Sequence, residues 1–207
     1  MIEVDGVGVE HGGTTLLAPV SARVDRGESL VVRGRNGAGK STLLRVLAGM
    51  RRPTTGAARI GGERVSQRDQ GFRRRVAAMI GMPPLAPDLT VFDHVLLVAA
   101  TWHDKVRARD VARDVLAEFE LAALGQRFPH ELSSGQTQLF GLALVLARPF
   151  DVLILDEPEQ RLDPEHLETV VRALRARLEA GATLVVATHS ATLADRVGDR
   201  TLLLDAA

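Results

Sequence analysis

Residues 34–42, Gly-Arg-Asn-Gly-Ala-Gly-Lys-Ser-Thr, follow a β-type apolar run and open a helical pattern, and no other stretch limits the fold as strongly. They satisfy G-x-x-x-x-G-K-[ST] at every fixed position, in the strand–loop–helix context the motif requires. Gly34, Gly37 and Gly39 let the backbone curl so that successive N–H groups face an anion. The helix that follows aims its positive end at the same point. Lys40 is placed to reach the β- and γ-phosphates of a nucleoside triphosphate and Ser41 to ligate Mg²⁺, with Arg35, Asn36, Ala38 and Thr42 completing the nucleotide-binding loop. Such a loop belongs at the carboxyl edge of an open α/β sheet.

The remaining elements agree. Strands are expected at Ile2–Val9, Val20–Val24 and Ser29–Val32, then a helix from Thr42 to Gly49, a small hairpin around Arg59–Gly62 and a buried strand at Val76–Ile80. Residues 91–147 read as helical, with Val91, Val95, Val98 and Trp102 on one face and Val111, Val115 and Phe119 on another. The last third alternates strand and helix, and its Val/Leu/Ile runs suit a parallel sheet covered on both faces. The expectation is one domain spanning 1–207: a mainly parallel phosphate-loop NTPase core with an N-terminal antiparallel β-subdomain (1–84 and 149–207), interrupted by a helical subdomain (85–148).

Composition excludes several function classes. Lys+Arg and Asp+Glu both number 26, and a neutral chain lacks the basic surface that nonspecific nucleic-acid binding needs, so no direct nucleic-acid contact is expected. Arg51-Arg52 and Arg73-Arg74-Arg75 read as solvated surface. With no cysteine, disulfides and thiolate metal sites are excluded, which suits a reducing cytoplasm. The N-terminus lacks the basic segment and apolar core of a secretory signal. Apolar runs such as 139–147 are far shorter than the ~20 residues that span a bilayer, so a membrane role is expected to come through a partner.

Hydrolysis needs more than a phosphate cradle. In Val152–Pro158, an apolar strand delivers Asp156 and Glu157 to the sheet's carboxyl edge. Asp156 suits a Mg²⁺ held through its water shell, and Glu157 a base that polarises the attacking water. His189 follows the strand Leu184–Thr188 in the same way and suits a γ-phosphate contact. Leu132–Gln136, "LSSGQ", precedes the apolar run TQLFGLALVLA. Ser133 could cap that helix, or present its hydroxyl and free N–H groups outward. Capping alone leaves Gly135 without a reason.

The order phosphate loop, helical segment, LSSGQ, LILDEP, RLD and a strand ending in ATH resembles the ATP-binding cassette family of ATPases along the whole chain. The resemblance implies that two cassettes pack head to tail around ATP, each signature capping the γ-phosphate held by the other chain. Ser133, Ser134, Gly135 and Gln136 fall on the signature, Asp163 on the loop that crosses the interface, and His189 on the switch histidine. The segment 80–90 matches the loop joining core and helical subdomain, beside the groove that receives a membrane partner. Three positions depart from the family pattern. His11 aligns where an aromatic residue, usually tyrosine, stacks on adenine. Gly81 aligns with a glutamine that senses Mg²⁺ and the γ-phosphate. Leu139 stands where a basic residue is common.

The resemblance implies an ATPase subunit working with a second ATPase subunit and a separate membrane permease, peripheral on the cytoplasmic face of the cell membrane. The segment LTVFDHVLLVAATW looks like those of exporter-type subunits. The alternatives are a soluble cassette ATPase, such as the iron–sulfur assembly type, and a low-turnover nucleotide-gated dimerisation module.

Overall fold

The structure is a computed structural model that describes residues 1–205. β1 (Ile2–His11) and β2 (Thr14–Val24) form an antiparallel hairpin turning at Gly12-Gly13. β3 (Ser29–Gly34) runs into the phosphate loop, and α1 (Lys40–Leu47) leaves it. β4 (Thr55–Ile60) pairs with β1, and β5 (Glu63–Arg64) turns back on β4. α2 (Gln70–Arg75) leads into β6 (Val76–Met79). Three helices, α3 (Val91–Ala100), α4 (Lys105–Glu118) and α5 (Ser134–Leu146), then separate β6 from β7 (Val152–Asp156). α6 (Pro164–Glu179), β8 (Thr183–Ala187), α7 (Ala191–Val197) and β9 (Arg200–Leu204) follow.

The strands form two sheets. One is antiparallel, in the order β2-β1-β4-β5; the other, β6-β7-β8-β3-β9, is parallel at every pairing. Alternate residues of the parallel strands enter different cores. Leu153, Leu155, Leu184 and Val186 face α5 and α6, packing with Phe140, Ala143 and Leu174. Val152, Ile154, Val185 and Ala187 face the other way, onto Leu43, Leu44 and Leu47 of α1. The antiparallel sheet covers α1 from outside with Ile2, Val4, Leu17 and Ile60, so α1 is held between two sheets. α5 buries residues around most of its circumference, and Leu139, at 1% exposure, is one of them. A charged side chain there would have to be taken out of water, so the apolar residue follows from the burial.

Two elements lie outside the sequence expectations. β2 begins at Thr14, six residues before Val20, and carries the exposed Pro19; it is an edge strand, where a missing N–H is tolerated. α2 is a single short helix started by Asp69, whose carboxylate accepts from Phe72 N–H at 2.6 Å, and it buries only Phe72. The helical pattern of 91–147 resolves into three helices with two short 3₁₀ turns. Among the described residues no helix is long and apolar enough to cross a membrane.

Candidate functional site

Strand register decides which residues meet. Val32 of β3 pairs with Ala187 of β8, and Ala187 pairs with Asp156 of β7. The phosphate loop, Asp156-Glu157 and Thr188-His189 therefore leave the same sheet edge at the same level. A cavity of about 530 Å³ opens there, lined by the phosphate loop and the start of α1, by Glu157, and by Thr14, Thr15 and Leu16 of β2. Gly39 is required by this approach. Its φ is 91°, and a Cβ would stand 2.7 Å from the Leu16 carbonyl oxygen. A cavity of about 570 Å³ lies at the opposite, amino edge of the sheet beside Arg73–Arg75, and none of these groups lines it.

Lys40 is buried at 7% exposure, and its ammonium donates to the carbonyls of Gly34 at 2.9 Å and Arg35 at 3.3 Å. It also lies 3.0 Å from His189 Nε2, which is in turn 3.1 Å from Glu157 Oε1. In a given protonation state Nε2 either accepts from Lys40 or donates to Glu157, not both. Lys40 and Glu157 line the cavity, and His189, which does not line it, bridges them through this one nitrogen. Burial pushes the Glu157 carboxyl above the usual carboxylate range; the His189 and Lys40 charges oppose that shift, while Glu159 and Asp156 reinforce it.

Glu157 sits at φ 51°, a left-handed conformation that a side chain disfavours, and the surroundings hold it there. Its N–H donates to Ala187 O at 2.8 Å, and its carbonyl accepts from Gln138 Nε2 at 3.2 Å. Gln138, on α5 at 6% exposure, also donates to Pro158 O at 3.1 Å. Its only sequence signal is one amide inside an apolar helical run.

The signature residues are elsewhere. Ser133, Ser134, Gly135 and Gln136 begin α5, and none lines the phosphate-loop cavity of its own chain. Ser133 Oγ accepts from Gln136 N–H at 3.2 Å while Gln136 Oε1 accepts from Ser133 N–H at 2.9 Å, a complete capping box. The Ser133 hydroxyl proton has no acceptor among the described residues. Gly135 acquires a reason within its own chain, contrary to expectation: a Cβ would come 3.2 Å from Arg161 O, so the turn after Glu157 packs directly on this helix start. Asp163 likewise has a local role, capping α6 by accepting from His166 N–H at 2.9 Å. That bond, with the nearby imidazole, holds its carboxyl below the ordinary range.

His11 is exposed at the hairpin tip, in register with Thr14. It adjoins the cavity wall, which Thr14, Thr15 and Leu16 themselves form. Gly81 has φ 80° with open space where a side chain would go, and Met82 beside it packs its sulfur against Gly141 of α5. Ser41 at the start of α1 and Asp156 at the end of β7 offer a hydroxyl and a carboxylate, hard oxygen donors that fit Mg²⁺. Asp156 makes no ion pair or hydrogen bond through its side chain among the described residues, so its oxygens are available. Among the described residues no group of three or more His, Asp or Glu could hold a metal ion by itself.

A phosphate loop, an acidic strand end and a histidine on one parallel-sheet edge, with helices inserted between β6 and β7, define a phosphate-loop ATPase of cassette architecture. A family model described as ABC transporter matches residues 17–160, and the chain belongs to that family, as an ATP-binding ATPase subunit. It is 35% identical over 219 residues to the methionine import ATP-binding protein MetN of Ralstonia nicotianae, covering 100% of this chain and 62% of that protein. It is 32% identical to the glutamine transport ATP-binding protein GlnQ of Escherichia coli, covering 99% of this chain and 88% of that one. Among solved structures, the dimeric post-hydrolysis state of the ATP-binding cassette MJ0796 bound to ADP and Pi superimposes with a TM-score of 0.87 at 26% identity, covering 99% and 94% of the two chains. One of these relatives, MetN, is named for import, and none of them is named for export.

Proposed function

We propose that the chain binds MgATP at Gly34–Thr42, dimerises head to tail with a second ATPase subunit around it, and couples hydrolysis to a separate membrane permease. The observation that supports this is the contact of His189 with both Lys40 and Glu157 beside the phosphate loop, with the signature residues placed away from the cavity on the same chain. Lys40 and the loop N–H groups hold the phosphates, His189 contacts the γ-phosphate, and Glu157 orients and deprotonates the attacking water. Ser41 and Asp156 hold Mg²⁺, which neutralises phosphate charge when bound. Ser133, Ser134, Gly135, Gln136 and Asp163 act on the nucleotide of the partner subunit, Ser133 through its free hydroxyl proton. His11 lies against the base. The location that follows is the cytoplasmic face of a membrane, reached through the permease, and the direction supported by the name of the MetN relative is import.

Ser133→Arg tests the trans role. Monomer affinity for ATP should hold, while ATP-dependent dimerisation weakens about a hundredfold, the effect of placing bulk and an unpaired charge in a buried contact. Equilibrium nucleotide binding and analytical ultracentrifugation read the two quantities separately. Loss of ATP binding by the monomer would place the motif's action within its own chain.

Gly81 removes one water-orienting side chain, so slow basal turnover is expected with ATP binding intact. A glutamine has room there but must accept φ 80°. Gly81→Ala carries the same backbone strain without the amide, and is the control. Gly81→Gln should turn over several-fold faster than Gly81→Ala at saturating ATP; equal rates would deny the position any catalytic consequence.

A further inference from the structure

Glu159 lies two residues beyond Glu157 and has no part in the assignments above. Its Oε1 gathers three donors from a single turn: the Thr188 hydroxyl, His189 N–H at 3.1 Å and Ser190 N–H at 3.2 Å. The Thr188 hydroxyl oxygen in turn accepts from Ser190 N–H at 2.9 Å, closing the cluster. The turn's backbone tie to β3 is long, Thr188 N–H to Val32 O at 3.4 Å, while on its other side Ser190 caps α7, its hydroxyl accepting from Leu193 N–H at 3.1 Å. Glu159 therefore spans from the turn after β7 to the turn after β8, joining the two strand ends that carry Glu157 and His189.

Its other oxygen is informative. Oε2 is enclosed and has no hydrogen-bond partner among the described residues. A half-enclosed carboxylate with one orphan oxygen is unfavourable for folding alone. What a carboxylate at this position supplies is reach and a strong acceptor for backbone N–H groups.

We propose that Glu159 is a positioning residue for the switch histidine, fixing residues 188–190 so that His189 Nε2 lies between Lys40 and Glu157. It acts through His189 and does not touch the nucleotide; the proposal rests on the assignment of His189 to the γ-phosphate. Without the brace, the 3.0 Å and 3.1 Å contacts of Nε2 depend on a turn tied to β3 by one long hydrogen bond and to α7 through Ser190. Chemistry that depends on alignment loses rate steeply with small displacements.

The test is a cycle of Glu159→Ala and His189→Ala, with kcat and KM for ATP measured for each single variant and the double. Glu159→Ala should lower kcat about tenfold or more with little change in KM. In the His189→Ala background the same substitution should cost less than about twofold, because a residue acting through another is silent once that residue is gone. Glu159→Gln keeps an acceptor oxygen and should restore most of the rate. The ¹⁵N signals of the His189 ring should broaden or shift in Glu159→Ala and recover in Glu159→Gln. Thr188→Val, which removes one donor at nearly constant volume, repeats the cycle should Glu159→Ala fold poorly. If His189→Ala turns over normally, the γ-phosphate assignment fails and the brace with it. If His189→Ala is slow while Glu159→Ala is not, or if the two losses multiply, the positioning role alone is overturned.

Discussion

Lys40→Ala is expected to lower ATP turnover by about a thousandfold, the scale on which removal of one preorganised electrostatic contact acts in an enclosed site. The side chain is 7% exposed and makes no ion pair among the described residues. Its hydrogen-bonding neighbours are the neutral carbonyls of Gly34 and Arg35 and one imidazole nitrogen, and the Glu157 carboxylate acts on it only from beyond that imidazole, so no anion pairs with it directly. A phosphate is the anion that completes it. Truncation also removes a donor from His189 and leaves the two loop carbonyls to water, so nucleotide affinity should fall together with turnover. Lys40→Arg separates charge from shape: a planar guanidinium keeps the charge but cannot present it as a compact ammonium in the same space. It should recover part of the binding and little of the turnover. Steady-state ATPase and fluorescent-nucleotide titration measure both, and near-normal turnover in Lys40→Ala would remove the phosphate-loop assignment altogether.

Legibility from sequence followed how local the physics was. The phosphate loop and the strand ends at Asp156 and Ala187 were readable because each is a short motif attached to an apolar strand, and parallel register did the rest. β2 was half hidden, since Thr14 to Pro19 is largely exposed and alternates too weakly to announce a strand. α2 escaped because a six-residue helix burying one phenylalanine leaves no periodic pattern. Gln138 and Glu159 were invisible for a different reason: their partners, Glu157, Pro158 and the 188–190 turn, lie 19 to 31 residues away in sequence. The same holds for Gly135, where an added Cβ would crowd the Arg161 carbonyl at 3.2 Å, a contact that its own helix does not reveal. The signature glycine therefore serves its own chain's packing, whatever it presents to a partner.

That dual service bears on Glu157→Gln, the variant expected to leave ATP bound and to slow its cleavage by about a hundredfold to ten-thousandfold, the usual contribution of a general base. The amide nearly matches the carboxylate in size. Glu157's backbone, held by Ala187 and Gln138, should therefore keep its φ of 51° and the loop its shape. What is lost is the acceptor that takes a proton from water, together with the anion facing His189 Nε2 at 3.1 Å. Losing that anion removes a negative charge from the γ-phosphate end, so ATP should bind at least as tightly as in the wild type. With cleavage stalled, the γ-phosphate persists, and the free Ser133 hydroxyl of each chain can remain on the nucleotide of the other. Size-exclusion chromatography with light scattering should then show a dimer with MgATP and a monomer with MgADP, because in the proposed dimer only the triphosphate offers a group to both chains. Wild type should return to monomer as ATP is consumed. A Glu157→Gln chain that stays monomeric at saturating MgATP, with cleavage shown to be stalled, would mean that ATP does not join two copies of this chain through LSSGQ, and the signature would be left with the packing role that Gly135 and Arg161 already display.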